Sequence, residues 1–252
     1  MLDRNELNKY GPPGFHLAQK EKDYVQHWIL SFISRSGFKG VFKGGTCLQK
    51  TSNLPRYSED LDFTLNDAIL VDMEAVEAFL SSAGFTGLKW KTETKPVSET
   101  IRLRFRGPLF NGSEISEGFV TMDFSKRERT LMEVEPVMII SPYPDILPYN
   151  LNIMNKDEIA AEKVRAIMTR NSARDLFDLY FLLHQKARLN INLIEKKLLF
   201  YNKKFVLTDF DKKIDGLSKI WKKEINALTP NMVDYELVAK TVKSSTKSIH
   251  QT

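Results

Sequence analysis

The chain has 252 residues, 42% hydrophobic and 27% charged, the make-up of an ordinary globular protein of one large or two small domains. No apolar run reaches the length of a bilayer span, and the opening Met-Leu-Asp-Arg-Asn-Glu reads as neither signal nor transit peptide, so we expect a cytoplasmic protein with no membrane partner. The single cysteine, Cys47, excludes an internal disulfide and suits a reducing compartment. The net charge of +5 is uneven: residues 186–252 hold 14 Lys+Arg against 7 Asp+Glu, and the rest of the chain 23 against 25. A basic C-terminal part suits a polyanionic partner, nucleic acid above all, although a solvated lysine-rich helical surface has the same composition.

Gly11-Pro12-Pro13-Gly14 punctuates the start. Over 18–36, Val25, Trp28, Ile29, Phe32 and Ile33 recur at helical spacing, and Gly37 closes the predicted helix. Phe38 to Phe42 begins a short strand leading into Gly44-Gly45, with a short helix at 46–52 leaving that turn. Arg56 to Leu65 reads as a strand, and 70–83 as a helix closed by Gly84. Three strand-like runs follow, at 101–106, 118–125 and 131–140, the last broken at Pro136. In the first, Ile101, Leu103 and Phe105 alternate with Arg102, Arg104 and Arg106. The proline-rich stretch 141–148 marks a boundary, giving an expected α/β domain at 1–148 and a helical domain at 149–252. Helices are predicted at 156–170, 173–186, 191–201, 211–227 and 231–248, the first opened by Asn155 and Glu158 as a capping pair.

The chemistry concentrates in a few of these elements. Residues two apart on a strand share a face, so Asp60 and Asp62 project together while Leu61 and Phe63 enter the core. Two carboxylates on one rigid face repel each other unless a cation lies between them, and oxygen-only donors suit magnesium. The Gly44-Gly45-Thr46 turn lets backbone amides approach a phosphate closely, so the two motifs together would hold a magnesium–triphosphate pair. The plain alternatives are an Asp-rich strand end and a simple strand-to-helix turn, with Lys43 merely solvated.

Asp123 shares a strand face with Thr121 and Ser125 and is a candidate third carboxylate, or else a strand-end residue. Lys163 interrupts the apolar stripe of Ile159, Ala160, Val164 and Ile167, where a lysine needs a partner or must snorkel beside Glu162. Asp175 and Asp178 share a helix face at i, i+3. Asp175 also suits a first helical turn, and Asp178 can pair with Arg174. Arg102, Arg104 and Arg106 form either a track for an RNA backbone or a solvent face, and Arg56 has the same two readings. His16, His27, His184 and His250 are scattered without zinc spacing, and no P-loop is present.

Gly-Gly followed at this distance by Asp-apolar-Asp-apolar resembles the nucleotidyltransferase superfamily. More narrowly, the chain looks like the AbiEii/AbiGii-type nucleotidyltransferase toxins. Phe-Lys-Gly-Gly-Thr-Cys-Leu at 42–48, Arg-Tyr-Ser-Glu-Asp-Leu-Asp-Phe at 56–63, Ala-Glu-Lys-Val-Arg-Ala-Ile at 161–167 and Arg-Asp-Leu-Phe-Asp-Leu-Tyr at 174–180 occur in that family's order. The resemblance implies an α+β fold, a mixed sheet with flanking helices followed by a helical C-terminal domain that contributes Lys163 and Asp175 to the site. It implies transfer of a nucleotide from an NTP, with magnesium or manganese as cofactor and RNA, tRNA first, as acceptor, by the toxin partner of a cognate antitoxin protein. In that scheme Asp60, Asp62 and Asp123 hold metal and Asp123 supports the attacking hydroxyl. Lys43, Gly44, Gly45, Thr46 and Asp178 line the nucleotide, Lys163 is a phosphate ligand, and Asp175 orders the site. Thr46 stands where the superfamily often has Ser, and both carry a hydroxyl. A protein or small-molecule acceptor, and a non-catalytic nucleotide- or RNA-binding regulator, stay open as rival readings.

Overall fold

The computed structural model of the chain describes residues 1–66, 71–229 and 233–250. The chain forms two compact units. The first comprises residues 1–53, 57–129 and 134–153, and the second residues 54–56, 130–133 and the chain from Met154 onward.

The first unit runs α1 (Arg4–Tyr10), α2 (Leu17–Ile33), β1 (Val41–Lys43), α3 (Gly44–Ser52), β2 (Asp60–Thr64), α4 (Met73–Ser82), β3 (Thr86–Lys95), β4 (Ser98–Arg106), a 3-10 turn at Glu114–Ser116, β5 (Gly118–Ser125), β6 (Glu135–Ile139) and β7 (Tyr149–Ile153). Its strands make one seven-stranded sheet in the order β3-β4-β5-β2-β1-β7-β6. The sheet is mixed: β2 runs parallel to β5 and β1 parallel to β7, and the other neighbours are antiparallel.

Period-two alternation sets the two faces. Leu61, Phe63, Ile101, Leu103, Phe105, Val120, Met122 and Phe124 are at most 2% exposed and form the core face. Phe63 lies opposite Phe124 in the β2–β5 register and stacks on it, ring centroids 5.4 Å apart. Ring contacts continue from Phe105 through Phe85 to Tyr24 of α2, and Trp28 of α2 meets Phe79 of α4. Each buried phenylalanine contributes about 1.5–3 kcal/mol relative to leaving it exposed, so this aromatic layer is what holds the helices to the sheet.

Three elements of this unit stand outside the predicted ones. α1 has seven residues and one buried side chain, Leu7, too little for a period; it stands on its Asp3–Glu6 capping box. β3 is an edge strand, exposed along most of its length, so it lacks an alternating apolar face. β7 alternates buried Tyr149, Leu151 and Ile153 with exposed Asn150 and Asn152, but it follows the irregular 141–148 stretch. Because β7 lies between β1 and β6, the first unit extends to Ile153, past the expected boundary at 148. β6 keeps Pro136 inside it because an edge strand tolerates a missing donor. The predicted 70–83 helix is observed as α4, and residue 70 lies outside the described residues.

The second unit is helical: α5 (Lys156–Thr169), α6 (Ala173–His184), α7 (Ile191–Leu199), α8 (Leu207–Ile225) and α9 (Tyr235–His250). α5 packs against α6, α7 and α8, and α6 against α8 and α9, around Ile159, Val164, Leu176, Leu179, Ile194, Phe210, Ile214 and Val238. Asn155 caps α5 by accepting from the Asp157 N–H at 2.9 Å, but the expected capping partner acts elsewhere. Glu158 is fully buried, accepts the Leu131 and Met132 N–H groups, and meets Lys197 at 2.6 Å. α8 starts four residues before its predicted position because Val206 in the cap position gives no polar start signal. Residues 231–232 of the last predicted helix lie outside the described residues. No described helix is long and apolar enough to cross a membrane.

Candidate active site

In the first unit, β1 ends at Lys43 and the chain enters α3 through Gly44 at φ +78°, a conformation glycine adopts at little cost. A Cβ at Gly44 would be driven into the Asp62 carboxylate. The missing side chain is therefore what lets the turn and the aspartate strand come together. Thr46 is fully buried, and its hydroxyl donates to the Asp60 carbonyl at 2.5 Å, pinning the first turn of α3 to the start of β2.

The strand register then aligns the carboxylates. Lys43 of β1 lies opposite Asp62 of β2, Asp62 opposite Asp123 of β5, and Asp123 opposite Thr100 of β4. Neighbouring strands are about 4.8 Å apart, so these side chains form one row on the polar face. Asp60 sits one residue pair away on the same face, opposite Thr121. The Thr100 hydroxyl donates to Asp123 Oδ1 at 2.5 Å. Burial raises the Asp60 pKa, and the charges of Asp123 and then Glu59 push it the same way. A hydrogen bond from Thr121 and the charge of Lys22 oppose this less strongly. Burial and neighbouring carboxylates thus act together on Asp60.

Among the described residues no three His, Cys, Asp or Glu side chains already converge as a metal cage. The donor set still fits a hard cation, because magnesium keeps several waters and uses one or two carboxylates together with substrate phosphates. Cys47 is buried next to this turn with its thiol pushed up to about 12, a packed side chain rather than a nucleophile.

The loop entering β2 has its own support, which sequence reasoning missed. Gln26 of α2 donates to the Ser58 and Glu59 carbonyls at 3.2 and 2.8 Å. Gln49 of α3 accepts the Ser58 N–H at 3.2 Å and donates to Asp23 at 3.0 Å, and Asp23 also pairs with buried Lys50. These polar side chains interrupt core-facing helix positions, the one trace they leave in the sequence.

In the second unit, Lys163 of α5 lies 3.1 Å from Asp175 Oδ1 and 2.7 Å from Asp178 Oδ2, both on α6. Arg56 grips Asp178 with two bonds of 2.6 Å, and Arg170 grips Asp175 with bonds of 2.6 and 2.8 Å. Burial disfavours charge on Lys163, but Asp178 and Asp175 outweigh it and raise the pKa, so the ammonium persists. Burial would likewise raise both aspartates. Lys163 and Arg170 instead hold Asp175 well below the usual carboxylate range, and Arg56 and Lys163 do the same for Asp178.

Lys163 therefore does not snorkel beside Glu162, which bonds Lys197 at 3.1 Å, and Asp178 pairs with Arg56 rather than with exposed Arg174. The i, i+3 spacing of the two aspartates announced a shared face; Arg56 and Arg170 as their partners had no spacing signal. Among the residues singled out from the sequence, the structure gathers Lys43, Gly44, Gly45, Thr46, Asp60, Asp62 and Asp123 in the first unit, and Lys163, Asp175 and Asp178 in the second.

Comparison with solved structures gives the same fold. The chain is similar to JHP933 from Helicobacter pylori, with a TM-score of 0.63 and 23% identity over 100% of this chain and 94% of that one. It is also similar to MenT4, a nucleotidyltransferase toxin from Mycobacterium tuberculosis H37Rv, with a TM-score of 0.64 and 21% identity over 100% of this chain and 91% of that one. No curated protein sequence matches significantly. The model of the family described as "Nucleotidyl transferase AbiEii toxin, Type IV TA system" matches residues 33–241, which takes in both aspartate motifs, Lys163 and the Arg-Asp-x-x-Asp block. With that match over most of its length, the chain belongs to the AbiEii nucleotidyltransferase toxins of type IV toxin–antitoxin systems.

Proposed function

We propose that this nucleotidyltransferase moves a nucleoside monophosphate from an NTP to a hydroxyl of an RNA acceptor, tRNA first, with magnesium or manganese as cofactor. The observation that carries this is the polar row of β1, β2 and β5, where Asp62 faces Asp123, Asp60 shares their face, and Gly44 touches Asp62. Asp60, Asp62 and Asp123 would hold the metal, which when bound offsets charge on the transferring group and the pyrophosphate.

The chain's own groups take the remaining tasks. The turn opening α3 at Gly44 and Gly45 puts a helix N-terminus next to Asp62, the kind of end that suits a phosphate. Thr46 holds that turn on β2, and Lys43 flanks it. Thr100 occupies Oδ1 of Asp123, which orients Oδ2 to accept a proton-bearing acceptor hydroxyl. Lys163, kept charged by Asp175 and Asp178, is assigned to the triphosphate. Family membership makes an antitoxin protein the expected partner, and an NTP- and RNA-using protein with one buried free thiol suits the cytoplasm.

The test is incubation of the purified protein with total RNA, magnesium and each labelled NTP in turn, beside Asp60→Ala. Label in a discrete RNA band with the native chain alone supports the reading and names the nucleotide. Label on protein or small molecules moves the acceptor assignment, and full activity in Asp60→Ala removes the metal assignment.

A further inference from the structure

The polar sheet face does not end at the aspartates. β4 pairs Arg102 with Thr121 and Arg104 with Phe119, and β3 sets Lys91 beside Arg102 and Lys89 beside Arg104. Paired residues of adjacent strands point to the same side, so Lys89, Lys91, Arg102 and Arg104 share the face that carries Asp60, Asp62 and Asp123. Asp60, Thr121, Arg102 and Lys91 form one row across β2, β5, β4 and β3. Arg102 is two strands from Asp60, roughly 10 Å between backbones. The Arg104–Lys89 row lies one residue pair further along.

Arg102 and Arg104 are exposed, and among the described residues neither of them, nor Lys89 or Lys91, is in an ion pair. Arg106 is already engaged with Glu117 at 2.8 Å. Half-buried Phe119 lies in the strip: the Arg102 guanidinium is 3.8 Å from its ring centroid, and Lys22 Nζ is 4.1 Å from the same centroid.

Edge protection accounts for lysines on β3, which is the edge strand. It does not account for arginines on β4, which is an interior strand with neighbours on both sides. Nor does it place an aromatic ring among them. Cations in a row with a ring and a flat guanidinium exposed beside it are what a single strand of nucleic acid needs, phosphates on the charges and bases on the planes.

We propose that Lys89, Lys91, Arg102, Arg104 and Phe119 form a docking track for a single-stranded segment of the RNA acceptor, leading along the sheet face to Asp60 and Asp62. The proposal rests on the RNA-transfer reading above, and its test separates the two. An unstructured, fluorescein-labelled RNA oligonucleotide is titrated by anisotropy with the full chain, without NTP, over a series of salt concentrations. Arg102→Glu/Arg104→Glu is compared with native and with Lys203→Glu/Lys204→Glu, a basic pair beside the start of α8 in the helical unit.

The strip variant is expected to bind at least tenfold more weakly, with a salt slope shallower by about 1.4, two single-strand phosphate contacts. Phe119→Leu, which keeps an apolar side chain there, is expected to bind several-fold more weakly with the native slope. The Lys203/Lys204 variant should bind within twofold of native. Native-like binding by the strip variant while its circular dichroism is native, or a loss confined to the Lys203/Lys204 variant, overturns the proposal. RNA binding through the strip with no label transfer would sink the transferase reading and leave the track standing. Undiminished labelling of RNA by the strip variant would do the reverse.

Discussion

A methyl group at Gly44 would have to share space with the Asp62 carboxylate, in a backbone conformation that costs an L-residue about 1–2 kcal/mol. Gly44→Ala is therefore expected to lower stability by about that amount and to push Asp62 out of its row, with transfer reduced roughly 100-fold, because metal and carboxylate positioning is worth several kcal/mol. Labelled-nucleotide transfer and thermal melting of the same preparation check it; native activity would show that Asp62 tolerates displacement. Thr100→Val is the milder test of the same row. It removes the bond that orients Asp123, and should lower kcat by about tenfold or somewhat more, the worth of one hydrogen bond to a charged group, at unchanged KM for NTP. A change in KM alone would place Thr100 in binding rather than in support of the acceptor hydroxyl. That Asp60 and Asp62 project together was legible in the sequence, because alternation along a strand decides it, whereas Asp123's place beside them was implied only by the family resemblance. Thr100 was not legible: what aligns it with Asp123 is strand register, which pattern alone leaves unset.

At the scale of elements, α5 and α6 are joined by charge as well as by apolar contact. Lys163 stood out in the sequence as a cation inside an apolar stripe, and the two carboxylates at i, i+3 stood out as a shared face, but no spacing joined the two. Arg56 escaped because its partner Asp178 is 122 positions away. β3 escaped because an edge strand exposed along most of its length has no period to show. With Asp178 removed, Arg56 loses two charge-assisted bonds, and Lys163 loses one of its two carboxylate partners. Asp178→Ala is expected to destabilise the helical unit by about 3–5 kcal/mol, the cost of breaking a buried pair from one side. Asp175→Ala should cost less, since Arg170, 61% exposed at its side chain, can turn to water. Chemical denaturation followed by Trp221 fluorescence measures both, and an Asp178→Ala chain as stable as native would mean that the network adds nothing to the fold.

Over the whole molecule, buried charge makes stability depend on pH in two stages, and the sign of each can be worked out. In the first unit His27 is buried with Nδ1 2.8 Å from the Tyr149 hydroxyl, and Nε2 lies 3.9 Å from Asp23. That second contact looks like an ion pair, but burial and then the Lys50 charge outweigh Asp23 and lower the His27 pKa to about 3, so the ring is neutral near pH 7. The unfolded chain takes up a proton below pH about 6.5 that folded His27 refuses, so stability falls with pH by up to about 1.4 kcal/mol per unit from there down to about 3. Asp23, Asp175 and Asp178 are lowered in the fold. What they contribute is present above the ordinary carboxylate value of about 3.9 and is lost only as pH falls below it toward their folded values. Between pH 6.5 and about 4.5 the loss should therefore fall on the first unit and trace to His27, offset in part by Asp60 and Glu21, whose raised folded pKa values make their protonation favour the fold. Hydrogen exchange of the α2 and β5 amides across that range reads it. In the native chain protection should decline, and His27→Gln, whose amide can donate to or accept from Tyr149 but cannot take up the proton, should flatten the decline without altering the steep loss below pH 4. An equally steep decline in His27→Gln would assign the acid sensitivity to another group and leave His27 as packing alone.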